Sequence, residues 1–274
     1  TLVLMLPVMI STWVQPFNIM INAKYASRLY KGAAVPAIEF ANNLYTMIAG
    51  VLVLSIMNFI FPKLSKLIHE NKEDEFNQTV KTTILSTLFL VVPLCLGVMS
   101  LSHELIALIY GGNKFDEFSI RITSTALFWF SAGMIGYALQ NILSRVYFSK
   151  ESGKMPMISA IIAIVVNYVF CNLLIKRYEI GGLAVSSTIS VTVNALILAA
   201  PFFNKKYKIF DSTFFVQLGK IFICSLAMSG IILVLKAVLS FDTAISKLIS
   251  LGIIFIVAVG FYFILALILK INQM

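Results

Sequence analysis

Apolar runs of about twenty residues recur along this chain, and no other feature restricts its fold as strongly. Roughly 20 apolar residues cross the hydrocarbon core of a bilayer as a helix. Because lipid offers the backbone no hydrogen-bond partners, only helices and closed barrels span membranes. No run alternates polar and apolar residues as a barrel strand does. The sequence therefore predicts an all-α integral membrane protein, a polytopic helical bundle.

Eight runs meet this length criterion and account for most of the chain. The predicted spans are Leu2–Ile21, Ala37–Phe61, Thr83–Leu101, Ile122–Leu143, Met157–Ile175, Gly182–Phe203, Phe215–Leu235 and Leu248–Leu269. Composition agrees, since 59% of the residues are hydrophobic and 12% are charged. Soluble domains have about 45–50% apolar and 25% charged residues. The chain opens inside a run at Thr1, without a basic segment before it, so we expect a fragment of a longer membrane protein and not a signal peptide.

Lysines and arginines in the loops predict the orientation. The larger set, which includes Lys63, Lys150 and Lys154, favours a cytoplasmic C-terminus. The loop after the first span then lies outside, although it carries three cations. The net charge of +9 is modest and suits contact with anionic lipid leaflets. No basic stripe interleaved with aromatic residues indicates nucleic-acid binding.

Polar residues follow one face of the first span. Positions separated by three and four residues share a helix face, and this stripe ends at a basic cluster. The stripe comprises Ser11, Gln15, Asn18 and Asn22, and the cluster comprises Lys24, Arg28 and Lys31. Pro16 lies within the stripe and predicts a bend.

The second span repeats this pattern with Glu39, Asn43, Thr46 and Gly50. Polar groups at membrane depth usually face a bundle interior or a watery cavity. We interpret the first two stripes as lining a hydrated cavity. Spans five and six carry Asn167 and Asn194, which we interpret as polar contacts between packed helices. Contacts between helices stay an alternative for the first two spans as well.

Other functional classes find little support in the residues. The spans contain no histidine, no carboxylate pair at catalytic spacing and no set suited to nucleophilic catalysis, so an enzyme is not predicted. His69 and His103 are isolated and the three cysteines lie in apolar runs, so no metal site is predicted. No filter loop or charged ring indicates a channel. A bundle with a partly cationic polar cavity remains, and such a cavity suits an anionic substrate.

Several segments resemble the lipid II flippase family (MurJ or MviN). The stretch INAKYASRLYKGAAVPAIEFANNLY with PKLSK is similar to that family's seventh and eighth spans, and IYGGNKF, SRVYFSKESGKMP and GGLAVSSTIS resemble later elements. The resemblance extends from Leu6 to about Asn194. The matching residues include Asn22, Ala26, Ser27, Gly32, Ala41, Leu44, Gly50, Pro62, Gly112, Phe115, Gly133, Arg145, Tyr147, Phe148 and Pro156.

The resemblance implies the C-terminal half of a fourteen-span transporter of the multidrug/oligosaccharidyl-lipid/polysaccharide exporter superfamily. Residues 1–205 then form a six-helix lobe and residues 206–274 a terminal two-helix appendage with a lipid-tail groove. The implied function is translocation of lipid II, a polyprenyl-pyrophosphate-linked glycopeptide, across the bacterial cytoplasmic membrane by alternating access. Where the family often has an arginine, this chain has Asn43, which directs attention to Arg28.

The predicted substrate cavity follows from the stripes and the resemblance together. It comprises Gln15, Asn18, Asn22, Ser27, Arg28, Glu39 and Asn43, with Lys24 and Lys31 as additional phosphate contacts. No cofactor is predicted, and coupling to the membrane potential or a monovalent cation stays open. Membrane lipids and cell-wall synthesis enzymes are the expected partners. Two alternatives remain: an exporter of another lipid-linked glycan or of a drug cation, and a non-transporting cell-wall scaffold.

Overall fold

Helices make up nearly all of the computed structural model, which describes residues 9, 13–112, 115–204, 207, 209–241 and 243–271. They are α1 (Val14–Ala26), α2 (Ala34–His69), α3 (Glu73–Ser100), α4 (Ser102–Ile109), α5 (Glu117–Ala132), α6 (Met134–Ser149), α7 (Lys154–Ala199), α8 (Ser212–Val238) and α9 (Ala244–Ile268). Short 3₁₀ turns cover Tyr30–Gly32 and Ala200–Phe203. The described residues hold no strand beyond an isolated bridge between Gly112 and Phe115. The predicted all-α membrane fold is confirmed.

Five described helices are long and apolar enough to cross a membrane, or six if the bent pair α5–α6 forms one span. This count is below the predicted eight for two reasons. Part of the first predicted span lies outside the described residues, and α1 is described from Val14 only. Pro16 is the third residue of α1 as described, and the bend predicted there involves residues outside the described part of the chain. In addition, α7 counts once although it reverses direction.

The reversal in α7 occurs at Glu179, whose backbone leaves the helical region with φ 48° and ψ −125°. The Ser190 hydroxyl donates to the Ala163 carbonyl at 2.7 Å. Along a straight helix these residues would lie about 40 Å apart. The segments 154–178 and 180–199 are therefore antiparallel neighbours, and they correspond to the fifth and sixth predicted spans.

A second interruption separates α5 from α6 at Gly133, where the helix axes differ by 44°. The Thr188 hydroxyl donates to the Trp129 carbonyl at 2.6 Å, so α7 satisfies a carbonyl next to the bend. A Cβ at Gly136 would lie 3.0 Å from the Thr192 hydroxyl oxygen. Small residues permit such close approach of helix backbones in membranes. The bent span thus packs tightly against the second segment of α7.

We use the name lobe for α1–α7 and terminal pair for α8 and α9. Helix α8 packs along α3, and α9 packs against α8. At one end of the pair, the Lys81 ammonium donates to Asp211, the residue that caps α8, at 2.7 and 2.8 Å. Near the middle of α3, the Tyr262 hydroxyl donates to the Phe89 carbonyl at 2.7 Å. The predicted boundary between residues 205 and 206 lies outside the described residues.

Candidate functional site

The polar stripe of α1 faces other helices. The Gln15 amide donates to the Thr46 hydroxyl of α2 at 3.0 Å. The Asn18 amide donates to the Ser190 hydroxyl of α7 at 3.1 Å. These contacts arise because residues spaced by three and four positions share one face of a helix. Ser11, the first member of the stripe, lies outside the described residues.

Asn22 is the centre of this polar contact. It is 2% exposed, and its amide donates to the Ser187 hydroxyl at 2.7 Å. Its carbonyl oxygen accepts from the Asn167 amide at 3.4 Å and from the Cys171 thiol at 3.3 Å. Asn22 therefore joins both antiparallel segments of α7 to α1. The sequence identified Asn22 and Asn167 as polar, but an apolar run gave no signal that Cys171 would be a donor.

A small cavity of about 40 Å³ lies beside the stripe, lined by Gln15, Asn18, Asn22, Tyr45, Tyr137 and Ser187 among others. The Asn18 carbonyl oxygen is buried without a hydrogen-bond partner. A cavity of this size holds one water, which needs two or more polar partners. The site can therefore accept a single small polar species between α1, α2 and α7. A bulky head group does not fit within it.

The other predicted cavity residues lie on the surface of the chain. Lys24, Ser27, Arg28, Lys31, Glu39 and Asn43 are all exposed. The structure therefore divides the predicted site into buried amides and an exposed charged group. The charged group surrounds the connection between α1 and α2, since both helices reach the same end of the lobe there.

Exposed residues follow one side of α2. They recur every three or four positions and comprise Pro36, Glu39, Asn43, Met47, Val51 and Leu54. The polar members Glu39 and Asn43 lie toward the α1 connection, and the apolar members follow. A polar, exposed stretch at membrane depth is expensive in lipid and usually faces water or another protein surface. This face is the part of the lobe best suited to a cavity wall.

Asn194, predicted as a contact between helices, is 2% exposed on α7. Its carbonyl oxygen is buried without a hydrogen-bond partner. Asn167, the other residue of that prediction, donates to Asn22 as described. Within the described residues, no group of three or more His, Cys, Asp or Glu side chains could hold a metal ion.

Tyr30 fastens the connection between α1 and α2. Its hydroxyl donates to the Glu179 carboxylate at the α7 reversal, and its ring packs edge-on against Phe118 at 5.2 Å. Burial and the hydrogen bond to Glu179 raise the pKa of Tyr30 to about 12, so the phenol stays protonated at neutral pH. Sequence analysis missed this contact because the partners are distant in the chain. It fixes the loop that carries Arg28 and Lys31.

A separate apolar groove lies between α3, α8 and α9. Its volume is about 380 Å³. Its lining includes Pro93, Gly97, Leu101, Leu105, Ile232, Leu251, Phe255 and Tyr262. We call the surface formed by these residues the α3–α9 groove. The terminal pair therefore supplies one wall of a surface suited to hydrocarbon.

The chain matches the family model described as "Lipid II flippase MurJ" over residues 1–252. The "Probable lipid II flippase MurJ" of Bdellovibrio bacteriovorus is 25% identical over 194 residues, which cover 71% of this chain and 37% of that protein. The protein of the same name from Thermotoga maritima is 27% identical, with 93% and 50% covered. The chain spans about half or less of the length of these curated relatives.

Two solved structures share the fold. A "Lipid II flippase MurJ, inward closed conformation" superposes with a TM-score of 0.79 at 23% identity, covering 97% of this chain and 54% of that one. An inward-facing multidrug resistance MATE family transporter of the MOP superfamily gives a TM-score of 0.60 at 14% identity, covering 85% and 56%. Both similarities concern the arrangement of helices.

Proposed function

Since the chain belongs to the MurJ family of lipid II flippases, we propose that it forms one lobe of a transporter for lipid-linked peptidoglycan precursor. The proposed reaction moves the glycopeptide head group of lipid II across the bacterial cytoplasmic membrane while the polyprenyl tail stays in lipid. In alternating access, two lobes rock about a central site. Relatives of about twice the length of this chain supply room for a second lobe opposite the exposed face of α2.

The exposed polar group at the α1–α2 connection is the observation that carries this proposal. Glu39 and Asn43 lie on an uncovered helix face, and Lys24, Arg28 and Lys31 lie at the same end. Cationic side chains bind phosphate oxygens, and arginine does so with two parallel hydrogen bonds. The group therefore suits a pyrophosphate with an attached polar glycan.

The buried amides have a different role in the proposal. Asn18 and Asn22 are hydrogen-bonded to α7, so they hold α1 in place behind the charged group. Gln15 holds α1 to α2 in the same way. The substrate contacts proposed here are Ser27, Arg28, Glu39 and Asn43, with Lys24 and Lys31 beside them. Gln15, Asn18 and Asn22 then position the helix that presents these contacts.

The α3–α9 groove fits the lipid part of the same substrate. Its lining is almost wholly apolar. Because the surrounding lipid is equally apolar, close packing and not burial of apolar surface would hold a polyprenyl chain in the groove. We propose that the terminal pair guides the tail in this groove. Loss of the groove would then slow translocation without removing the phosphate contacts.

Replacement of Arg28 by alanine tests the proposal. Arg28 is exposed, and its guanidinium lies 5.9 Å from the centre of the Tyr25 ring. We expect Arg28→Ala to abolish growth of a strain depleted of its own flippase, because the pyrophosphate loses its main cationic contact. Growth on solid medium and protein level in the membrane are measured together. Arg28→Lys should restore part of the growth, since the charge stays but the paired hydrogen bonds do not.

Arg177→Ala is the matched control. Arg177 is also exposed, with its guanidinium 5.6 Å from the Tyr178 ring, but it belongs to the α7 reversal and not to α1, α2 or their connection. We expect normal growth from this variant. Normal growth of Arg28→Ala at wild-type protein level, or equal defects in both variants, would show that Arg28 has no specific role.

A second function of the same architecture is export of a different cargo. Asn43 in place of the family's usual arginine removes one expected phosphate ligand, which favours a less anionic cargo such as another lipid-linked glycan or a drug cation. Direct comparison of lipid II with neutral glycolipids in proteoliposomes distinguishes the two. A cell-wall scaffold that does not transport is a third candidate, and it predicts that substitutions at Glu39 and Arg28 leave growth unchanged. Cell-wall synthesis enzymes are proposed partners in each case.

A further inference from the structure

A cluster of charged side chains lies at one end of the α3–α9 groove. The Lys236 ammonium lies 2.9 Å from the first carboxylate oxygen of Glu104 and donates to the Ser100 carbonyl at 3.4 Å. His103 lies 3.9 Å from the same carboxylate through Nδ1 and 3.3 Å from the Glu117 carboxylate through Nε2. These residues come from α3, α4, α5 and α8, and the proposed translocation site uses none of them.

Glu104 has an unused acceptor in this cluster. The residue is 8% exposed, and its second carboxylate oxygen, Oε2, is buried without a hydrogen-bond partner. An ionised carboxylate accepts at both oxygens, and an unsatisfied buried acceptor is unfavourable. The cluster is therefore incomplete, and the group that would complete it is a hydrogen-bond donor.

The cluster lies where the head group of a lipid in the groove would be. Leu101 and Leu105, on either side of Glu104 in sequence, both line the groove. Ile232 also lines it, and Lys236 follows one helical turn later, about 6 Å along α8. Charged groups at the mouth of an apolar groove match an amphiphile with its polar end at the mouth.

The groove has room for one hydrocarbon chain, which lies with its head group at the Glu104 end. Its lining on α9 extends from Leu251 to Phe263, which is about 18 Å of helix, within a volume of about 380 Å³. At the far end the Tyr262 hydroxyl donates to the Phe89 carbonyl at 2.7 Å, so α9 is held against α3 there. A chain therefore enters from the Glu104 end and leaves its head group at the cluster.

The charges select the head group. The cluster presents one ammonium, Lys236, and two carboxylates, Glu104 and Glu117, with the imidazole of His103 between the carboxylates, so it offers partners to both charges of a zwitterionic head group. We propose that the α3–α9 groove binds phosphatidylethanolamine, with one chain in the groove, the phosphate at Lys236 and the primary ammonium at Glu104 and Glu117. The ammonium carries three donors, which suit the carboxylates of the cluster. Phosphatidylcholine has the same charges but no N–H donor on its quaternary nitrogen.

This lipid differs from the cargo proposed above, and its binding does not depend on translocation. A resident phospholipid keeps the groove filled while no polyprenyl tail lies in it. Binding is measured directly, so its failure would leave the flippase proposal untouched, and failure of lipid II transport would leave the phospholipid site untouched.

Native mass spectrometry of the purified intact protein tests the proposal. The protein in detergent is titrated with phosphatidylethanolamine, phosphatidylcholine or phosphatidylglycerol of identical chains. We expect the wild type to bind phosphatidylethanolamine about tenfold more tightly than phosphatidylcholine, as befits charge-assisted hydrogen bonds. Glu104→Gln should reduce this ratio toward one. Glu117→Gln, at a residue whose side chain is 81% exposed, should reduce it about threefold without affecting the fold.

The measured quantity is the ratio of the binding affinities for two lipids. A general loss of stability would weaken the binding of both lipids and leave this ratio unchanged. Lys176→Met, at an exposed lysine of α7, is the control and should keep the wild-type ratio. Equal binding of the two zwitterionic lipids by the wild type would overturn the proposal. So would a preference for phosphatidylglycerol, or a ratio that both glutamine variants leave unchanged.

Discussion

Glycines meet different surroundings in the lobe and in the terminal pair. A Cβ at Gly136 or Gly133 would lie 3.0 Å from a threonine hydroxyl oxygen of α7, and one at Gly182 would lie 2.7 Å from the Leu174 carbonyl oxygen. The terminal pair has no heavy atom within 4 Å of a Cβ at any of its described glycines, which are Gly219, Gly230, Gly252 and Gly260. The lobe thus depends on close backbone packing, whereas the pair leaves room beside its helices.

Hydrogen bonds show the same contrast. Side chains within the lobe join α1 to α2 and α7 at three successive positions over about two turns of α1. The terminal pair is joined to the lobe at separate points, by Lys81 with Asp211, by Tyr262 with Phe89 and by Lys236 with Glu104. The pair also packs along α3 through α8, so its few polar contacts supplement an apolar interface that leaves a groove beside α9.

The largest expected effect comes from filling space in the lobe. Gly136→Val places methyl groups against Thr192, where a Cβ alone would already lie 3.0–3.1 Å from its atoms. Overpacking of this kind destabilises by about 1–3 kcal/mol, and we expect the upper part of that range because the close atoms include backbone. The midpoint of thermal unfolding of the purified protein measures it. Gly252→Val, with nothing within 4 Å, is the control in the terminal pair, and equal losses in both would break the contrast.

A smaller loss is expected from the amide at the centre of the lobe. Asn22→Leu removes contacts to Ser187, Asn167 and Cys171. Interhelical hydrogen bonds in membrane proteins contribute about 0.6 kcal/mol each on average, so we expect a loss of about 1–2 kcal/mol in the free energy of unfolding. Steric trapping or thermal unfolding in bicelles measures this loss. Asn58→Leu, at an exposed position of α2, should change stability little, and a neutral Asn22→Leu would contradict the role of the amide.

The smallest effect concerns the attachment of the terminal pair. The hydrogen bond from Lys81 chiefly lowers the pKa of Asp211 to about 2, whereas an unfolded aspartate titrates near about 3.9. The contact therefore stabilises the fold above about pH 4, and its contribution is lost as the pH falls toward about 2. Asp211→Asn keeps a residue suited to capping α8 but should flatten this part of the stability profile. Parallel profiles for variant and wild type between pH 5 and 3 would exclude the contribution.

The helical class and the span positions could be predicted because apolar length is a local property of the sequence. The spacing of Gln15, Asn18 and Asn22 likewise predicted one polar face, which α1 presents to its neighbours. The partners on α7 could not be predicted, because they depend on the reversal at Glu179. The charged stretch 176–179 separated the fifth and sixth predicted spans, but spacing along the chain does not show which of their side chains pack against α1.

Long-range charge pairs also could not be predicted from the sequence. Glu104 and Lys236 belong to α4 and α8, and their contact depends on how α8 packs along α3. The same holds for Tyr30 and Glu179. Arg28, Glu39 and Asn43 were grouped from the sequence because they surround one loop, and loop proximity needs no knowledge of packing. Their role as substrate contacts stays a prediction.

The reversal of α7 has a consequence for biogenesis. Only Glu179 leaves the helical conformation between the two segments, so the connection between them in the folded protein is very short. Such a connection favours insertion of both segments together as one helical hairpin. Its tip carries Lys176, Arg177 and Glu179, and each such charge is unfavourable by about 2.5–3.5 kcal/mol at the bilayer centre. When the translocon inserts this hairpin from the side of the membrane where residues 154 and 199 lie, the three charges of the tip must cross the bilayer. The apolar flanks of the hairpin supply the compensating free energy.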